Sequence, residues 1–211
     1  MLLSEPLVIV TGCPRSGTGY MSQYFQVLGL QVGHEKLRRN GMSYWLLADK
    51  RRFDAYNVKA SRKGYGDLRL AKKFHVTRHP LHMISSMLPR HESILRGYVP
   101  DWDEYDTPLV RTAKFWVSWN EKIQYGMDID LRLKVEEAPE QLDNICRVSR
   151  LLYHDREIRK VKQLDTRHNT AFGTGMKAYD EVFSWSKLWW SIPRSLYRRV
   201  KDLAREYGYK E

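Results

Sequence analysis

Leu7-Val8-Ile9-Val10-Thr11-Gly12-Cys13-Pro14-Arg15-Ser16-Gly17-Thr18 is the stretch that decides the fold. Residues 7–10 form an uninterrupted apolar run rich in β-branched side chains, the pattern of a strand buried on both faces of a parallel sheet. Thr11-Gly12 ends it. From Thr18 the period becomes helical: Tyr20, Met21, Tyr24, Phe25 and Leu28 fall on one face, and Gly29 marks the stop. Between strand and helix, Gly12 and Gly17 have the G-x-x-x-x-G spacing of a phosphate-binding loop. Backbone N–H groups in such a turn converge on one point and the helix dipole adds positive potential there, so a phosphate or sulfate fits. A nucleoside-triphosphatase loop continues with Lys for the β/γ-phosphates and Ser/Thr for magnesium. Here Thr18 and Gly19 stand in those places, and Arg15 inside the loop supplies the cation.

Working outward, residues 30–32 read as a second strand that ends at Gly33-His34-Glu35. Residues 56–60, 73–77 and 131–135 read as further strands. Arg78 follows the carboxyl end of the 73–77 strand, and His79-Pro80 opens a helix that carries Ser86. Thr107-Pro108 caps a longer helix through Trp116, Trp119 and Ile123. The closing helix, from near Ser191, carries Leu196, Val200, Leu203 and Tyr207, with Gly208 past its end. Residues 90–106 and 165–180 lack periodicity and read as loops. Strands alternating with helices predict a single α/β domain over residues 1–211, a central, mostly parallel β-sheet flanked by helices.

Composition narrows the function. The 36 Lys+Arg against 25 Asp+Glu leave a formal charge of +11, which calls for an anionic partner: nucleic acid, a membrane surface, or a phosphate- or sulfate-bearing ligand. A chain that is 42% hydrophobic and 12% aromatic is neither disordered nor fibrous. Two cysteines, Cys13 and Cys146, make neither a disulfide framework nor a C-x-x-C pair, and His75, His79 and His82 span a strand-to-helix junction rather than one helix face, so no metal site is expected. The uncharged run of residues 16–34 holds 4 Gly, 2 Ser and 3 Gln, too polar for a membrane span. With no signal-peptide pattern at the start, a cytoplasmic location is expected.

The loop Pro14-Arg15-Ser16-Gly17-Thr18 after a strand resembles the 5′-phosphosulfate loop of sulfotransferases that use 3′-phosphoadenosine-5′-phosphosulfate (PAPS). That family's second motif is an Arg at a strand end followed eight positions later by a helical Ser, the spacing of Arg78 and Ser86. Further segments are similar to bacterial-type members: Val32-Gly33-His34-Glu35, Asn40 with Gly41 to Trp45, Phe115 to Asn120, Val135-Glu136, and Ser184-Trp185. The resemblance implies a P-loop nucleoside-triphosphate-hydrolase-like sulfotransferase fold, PAPS as donor and 3′-phosphoadenosine-5′-phosphate (PAP) as product. It implies that Pro14, Arg15, Ser16, Gly17, Thr18 and Gly19 cradle the phosphosulfate, that Arg78 and Ser86 take the 3′-phosphate, and that no metal is needed. The acceptor would offer a hydroxyl or an amine.

Independently of the resemblance, ligands of open α/β sheets bind beyond the carboxyl ends of the strands. Arg15 and Arg78 both belong there, and two anion sites on one edge suit a ligand with two separated phosphoryl groups. Transfer then rests on positioning and electrostatics, with Arg15 offsetting charge on the leaving phosphate. For removal of the acceptor proton, Glu35 is the first choice and His34 the competitor. Strand alternation continued through Gly33 would point His34 and Glu35 to opposite faces. Trp45, Trp116 and Trp119 are pocket or core candidates, and Lys59 is more simply a solvated lysine. Arg167, Asn169 and Lys177 lie in a late polar loop where related enzymes close over the donor. Two other readings stand beside the sulfotransferase: a P-loop kinase, disfavoured by the missing Lys, and a non-catalytic anion or nucleic-acid binder using Arg194, Arg198, Arg199 and Lys201, although no nucleic-acid-binding motif accompanies that charge.

Overall fold

A computed structural model describes residues 7–88, 96–100, 102–164 and 183–210. Five parallel strands form one sheet: β1 (Val8–Thr11), β2 (Gly33–His34), β3 (Gly41–Ser43), β4 (Lys72–Thr77) and β5 (Leu131–Lys134), in the order β2-β3-β1-β4-β5. Every residue of β1 is buried, as its apolar run requires of a strand with a neighbour on each side. Helices α1 (Thr18–Val27), α2 (Lys50–Arg62), α3 (Pro80–Met87), α4 (Pro108–Gly126), α5 (Leu142–Ser149), α6 (Asp155–Lys162), α7 (Trp185–Ser191) and α8 (Arg194–Glu206) cover it.

The pleat sorts the core. Val8, Val10, Phe74, Val76 and Leu133 face one side, where Tyr24 and Phe25 of α1, Ile145 of α5 and Val161 of α6 pack on them. Phe25 meets Phe74 edge-on at 5.2 Å, and truncating a ring so placed costs about 3–5 kcal/mol. Ile9 and Met42 face the other side, against Leu47, Ala60 and Leu68. His75 shares that side: its Nε2 lies 3.0 Å from Asn120 Oδ1 of α4, and burial depresses its pKa to about 3, so the ring is neutral. The architecture is α/β with a parallel sheet between helical layers. Among the described residues no helix is long and apolar enough to cross a membrane.

Two sequence expectations fail. Residues 56–60 are not a strand but lie within α2. Asp49 caps that helix by accepting from Arg52 N at 3.1 Å. Tyr56 and Ala60 mimic a strand face but are equally an i, i+4 helical pair, and the intervening Val58 is 50% exposed. The second strand begins later than residue 30. Val32 N donates to Leu30 O two residues back, a bend that postpones pairing until Gly33 meets Met42 of β3. The short strand β3 itself, paired to β1, escapes the sequence reading.

Candidate functional site

Because all five strands run the same way, their carboxyl ends share one edge. Along it lie Glu35 after β2, Tyr44 and Trp45 after β3, the 12–17 loop after β1, Arg78 after β4 and Val135-Glu136 after β5. The loop, Glu35 and Arg78 thus lie along one edge of the sheet.

The loop is built by close approach. A Cβ on Gly12 would sit 2.2 Å from the Val76 carbonyl oxygen of β4. One on Gly17 would sit 2.4 Å from Val135 Cγ2, and Gly17 has φ +99°, a left-handed conformation that side chains resist. Ser16 N closes the turn on Cys13 O at 3.0 Å. Gly17 gives α1 no side-chain cap, so the first-turn amides keep their donors for something else. The Ser16 hydroxyl is buried and has no hydrogen-bond partner among the described residues. A buried, unanswered hydroxyl costs about 1–3 kcal/mol, which an anion in the loop would relieve.

Arg15 and Arg78 are joined. Arg15 Nε donates to Ser86 Oγ at 3.0 Å, and Arg78 Nη1 donates to the Arg15 carbonyl at 3.3 Å. Loop, strand end and α3 are thus joined through two guanidiniums and the Ser86 hydroxyl. Burial lowers the Arg78 pKa, while Glu136 and Tyr209 pull it back up. The guanidinium stays charged and is left as a desolvated cation without an ion-pair partner among the described residues. Glu136 is occupied nearby, its Oε1 accepting from His79 N at 3.0 Å at the start of α3.

On the β2/β3 side of the loop opens a cleft of about 970 Å³, lined among others by Pro14, Arg15, Thr18, His34, Glu35, Tyr44, Trp45 and Tyr98. Strand alternation does not separate His34 from Glu35. Glu35 adopts φ +53°, its amide donating to Ser43 O at 3.0 Å, and this left-handed residue ends the pleat. Both side chains consequently line the cleft, His34 Nε2 standing 3.9 Å from Glu35 Oε1 and 3.5 Å from Thr18 Oγ1. Burial lowers the His34 pKa below its ordinary 6.5, with the Glu35 charge opposing. Arg15, at φ +69°, is strained in the same sense. Of the three non-glycine residues with positive φ among the described residues, two thus line this cleft, and such conformations, costing about 1–3 kcal/mol each, gather where function holds them.

Other candidates fall elsewhere. Trp116 and Trp119 are each 1% exposed and belong to the core, whereas Trp45 reaches the cleft and packs on Trp119 at 5.1 Å between ring centres. Lys59 lies on the outer part of α2 with its ammonium over Tyr56. Arg167, Asn169 and Lys177 lie outside the described residues. Sequence reasoning missed Arg51 and Arg52 as cleft residues because it did not see α2; the capping Asp49 was the available signal.

No protein-family model matches the chain, and no curated protein matches it. Among solved structures, the chain is similar to mouse sulfotransferase SULT7A1 complexed with PAP. That likeness has 12% identity and a TM-score of 0.47 over 97% of this chain and 85% of the other.

Proposed function

We propose that this protein is a sulfotransferase that moves a sulfuryl group from PAPS to a hydroxyl or amine of an acceptor. The observation that carries the reading is the Arg15–Ser86–Arg78 cluster, which couples the Gly-rich loop to a second cationic site one strand away. A donor with a 5′-phosphosulfate and a 3′-phosphate matches two such sites. The orphaned Ser16 hydroxyl and the uncapped start of α1 support an anion in the loop.

In this scheme the amides of residues 15–19 and the Ser16 and Thr18 hydroxyls hold the phosphosulfate, with Pro14 shaping the turn. Arg15 offsets the charge that grows on the departing phosphate. Arg78 and Ser86 hold the 3′-phosphate. Glu35 takes the acceptor proton: its strained backbone aims it at the cleft, whereas His34 Nε2 already faces Thr18. The cations are side chains, so the scheme uses no metal. Two buried thiols, Cys13 and Cys146, suit a reducing cytoplasm.

The test is transfer from PAPS to a panel of hydroxyl and amine acceptors in EDTA, read as PAP released and sulfated product formed. Wild-type protein should turn over and Arg15→Ala should not. Phosphoryl transfer from magnesium-ATP with none from PAPS would make the protein a kinase instead.

A further inference from the structure

The cleft carries more positive charge than a donor loop needs, and that charge sits away from Arg78. Arg51 and Arg52 line it from the first turn of α2, on the β3 side of β1, whereas Arg78 follows β4 on the other side. Both are exposed, and neither has an ion-pair partner among the described residues. The acids close by are already engaged: Asp49 caps α2 and pairs with Lys122 at 3.6 Å, and Asp54 pairs with Lys50 at 2.7 Å. Glu35, across the cleft, lies beside His34.

The placement also runs against helix electrostatics. Lys50, Arg51 and Arg52 fill the first turn of α2, which holds no acidic residue, although the positive end of the helix dipole disfavours each cation there by about 0.3–1 kcal/mol. An anion bound at the cleft would remove that penalty. The rings of Tyr44, Trp45 and Tyr98 line the same cleft, Arg52 near enough to act on the Tyr44 phenol, with Trp45 and Tyr98 edge-to-face at 5.6 Å. Rings next to an arginine pair suit a flat or ring-shaped molecule with an acidic group at its end.

The geometry points to an anionic acceptor: a ring-bearing molecule whose hydroxyl reaches Glu35 and whose carboxylate, sulfate or phosphate is held by Arg51 and Arg52. This inference rests on the sulfotransferase reading and names the substrate class of its acceptor side. Recognition by two guanidiniums makes charge, not ring identity, the discriminating feature.

The probes are 4-nitrophenyl β-D-glucuronide and 4-nitrophenyl β-D-glucoside, which differ by a carboxylate, titrated calorimetrically into protein saturated with PAP. The glucuronide should bind at least about tenfold more tightly to the wild type, as charge-assisted hydrogen bonds provide. In the Arg51→Gln/Arg52→Gln double variant that preference should vanish while PAP affinity stays unchanged, which also reports that the variant is folded. Equal binding of the two glycosides, absence of binding by both, or a preference that survives the double substitution overturns the proposal. Failure of the wild type to bind PAP is a different result and strikes the donor reading instead.

Discussion

Ser16 and Glu35 each sit in a state that folding alone does not favour. The Ser16 hydroxyl is buried without a partner among the described residues, so Ser16→Ala should raise unfolding free energy by about 1 kcal/mol and weaken PAP binding about tenfold. Urea melts and calorimetry check the pair, and a loss of stability with unchanged affinity would make Ser16 a structural residue. Glu35→Gln should lower turnover by about 10²–10⁴. The pH profile separates its role from that of His34. Burial holds the His34 pKa below 6.5, so the ring is neutral at pH 7 and its acid limb lies below that value. The Glu35 charge favours the imidazolium, so its removal should shift the limb further to acid in the residual activity. Wild-type turnover in Glu35→Gln would assign the proton to His34. The anion-loop spacing around Arg15 and Ser16 was legible in the sequence, whereas Arg78, Ser86 and Glu35 were singled out with the help of the family resemblance. The positive φ of Glu35 was not legible, because nothing in Gly33-His34-Glu35 signals that the pleat ends there.

At the scale of elements, the strand β1, its loop and α1 form the unit on which the site depends. Gly17→Ala forces a Cβ to within 2.4 Å of Val135 and into φ +99°, so it should lower the unfolding free energy by about 2 kcal/mol or more, read as a lower denaturation midpoint at unchanged slope. It should also abolish PAP binding, since the amides then lose their common focus. A Gly17→Ala protein with normal stability and affinity would show that the loop is not the anion cradle. The elements found from sequence are those with a strong local signal: β1 by its apolar run, β4 and β5 by theirs, α3 and α4 by a cap and a first-turn proline. Those missed lacked one. The three residues of β3 are specified by pairing to β1, and α2 hides a helical face behind Tyr56 and Ala60, which are also two strand steps apart in pairs with Val58. Long-range pairing decides β3, and periodicity does not encode it; for α2 only the Asp49 cap distinguishes helix from strand.

For the molecule as a whole, the parallel sheet gathers the carboxyl ends of its strands onto one edge, and the order β2-β3-β1-β4-β5 divides that edge into two sides. Loop and Arg78 occupy the β1/β4 side, and the cleft with Glu35, His34 and the Arg51–Arg52 pair occupies the β2/β3 side. In the proposed scheme a group held at the loop would be presented to the cleft while the rest of the donor is anchored behind it. The measurement that tests this most directly is a thermal-shift titration in EDTA with PAP, with adenosine 5′-phosphosulfate, which lacks the 3′-phosphate, and separately with magnesium-ATP. A ligand that binds only the folded state stabilises it by RT ln(1 + [L]/Kd), about 2.7 kcal/mol at a hundredfold excess over Kd. The two-site cradle predicts a metal-independent shift with PAP and a smaller one with adenosine 5′-phosphosulfate; in Arg78→Ala the PAP shift should fall while that of adenosine 5′-phosphosulfate stays unchanged. A shift with magnesium-ATP and none with PAP would contradict it.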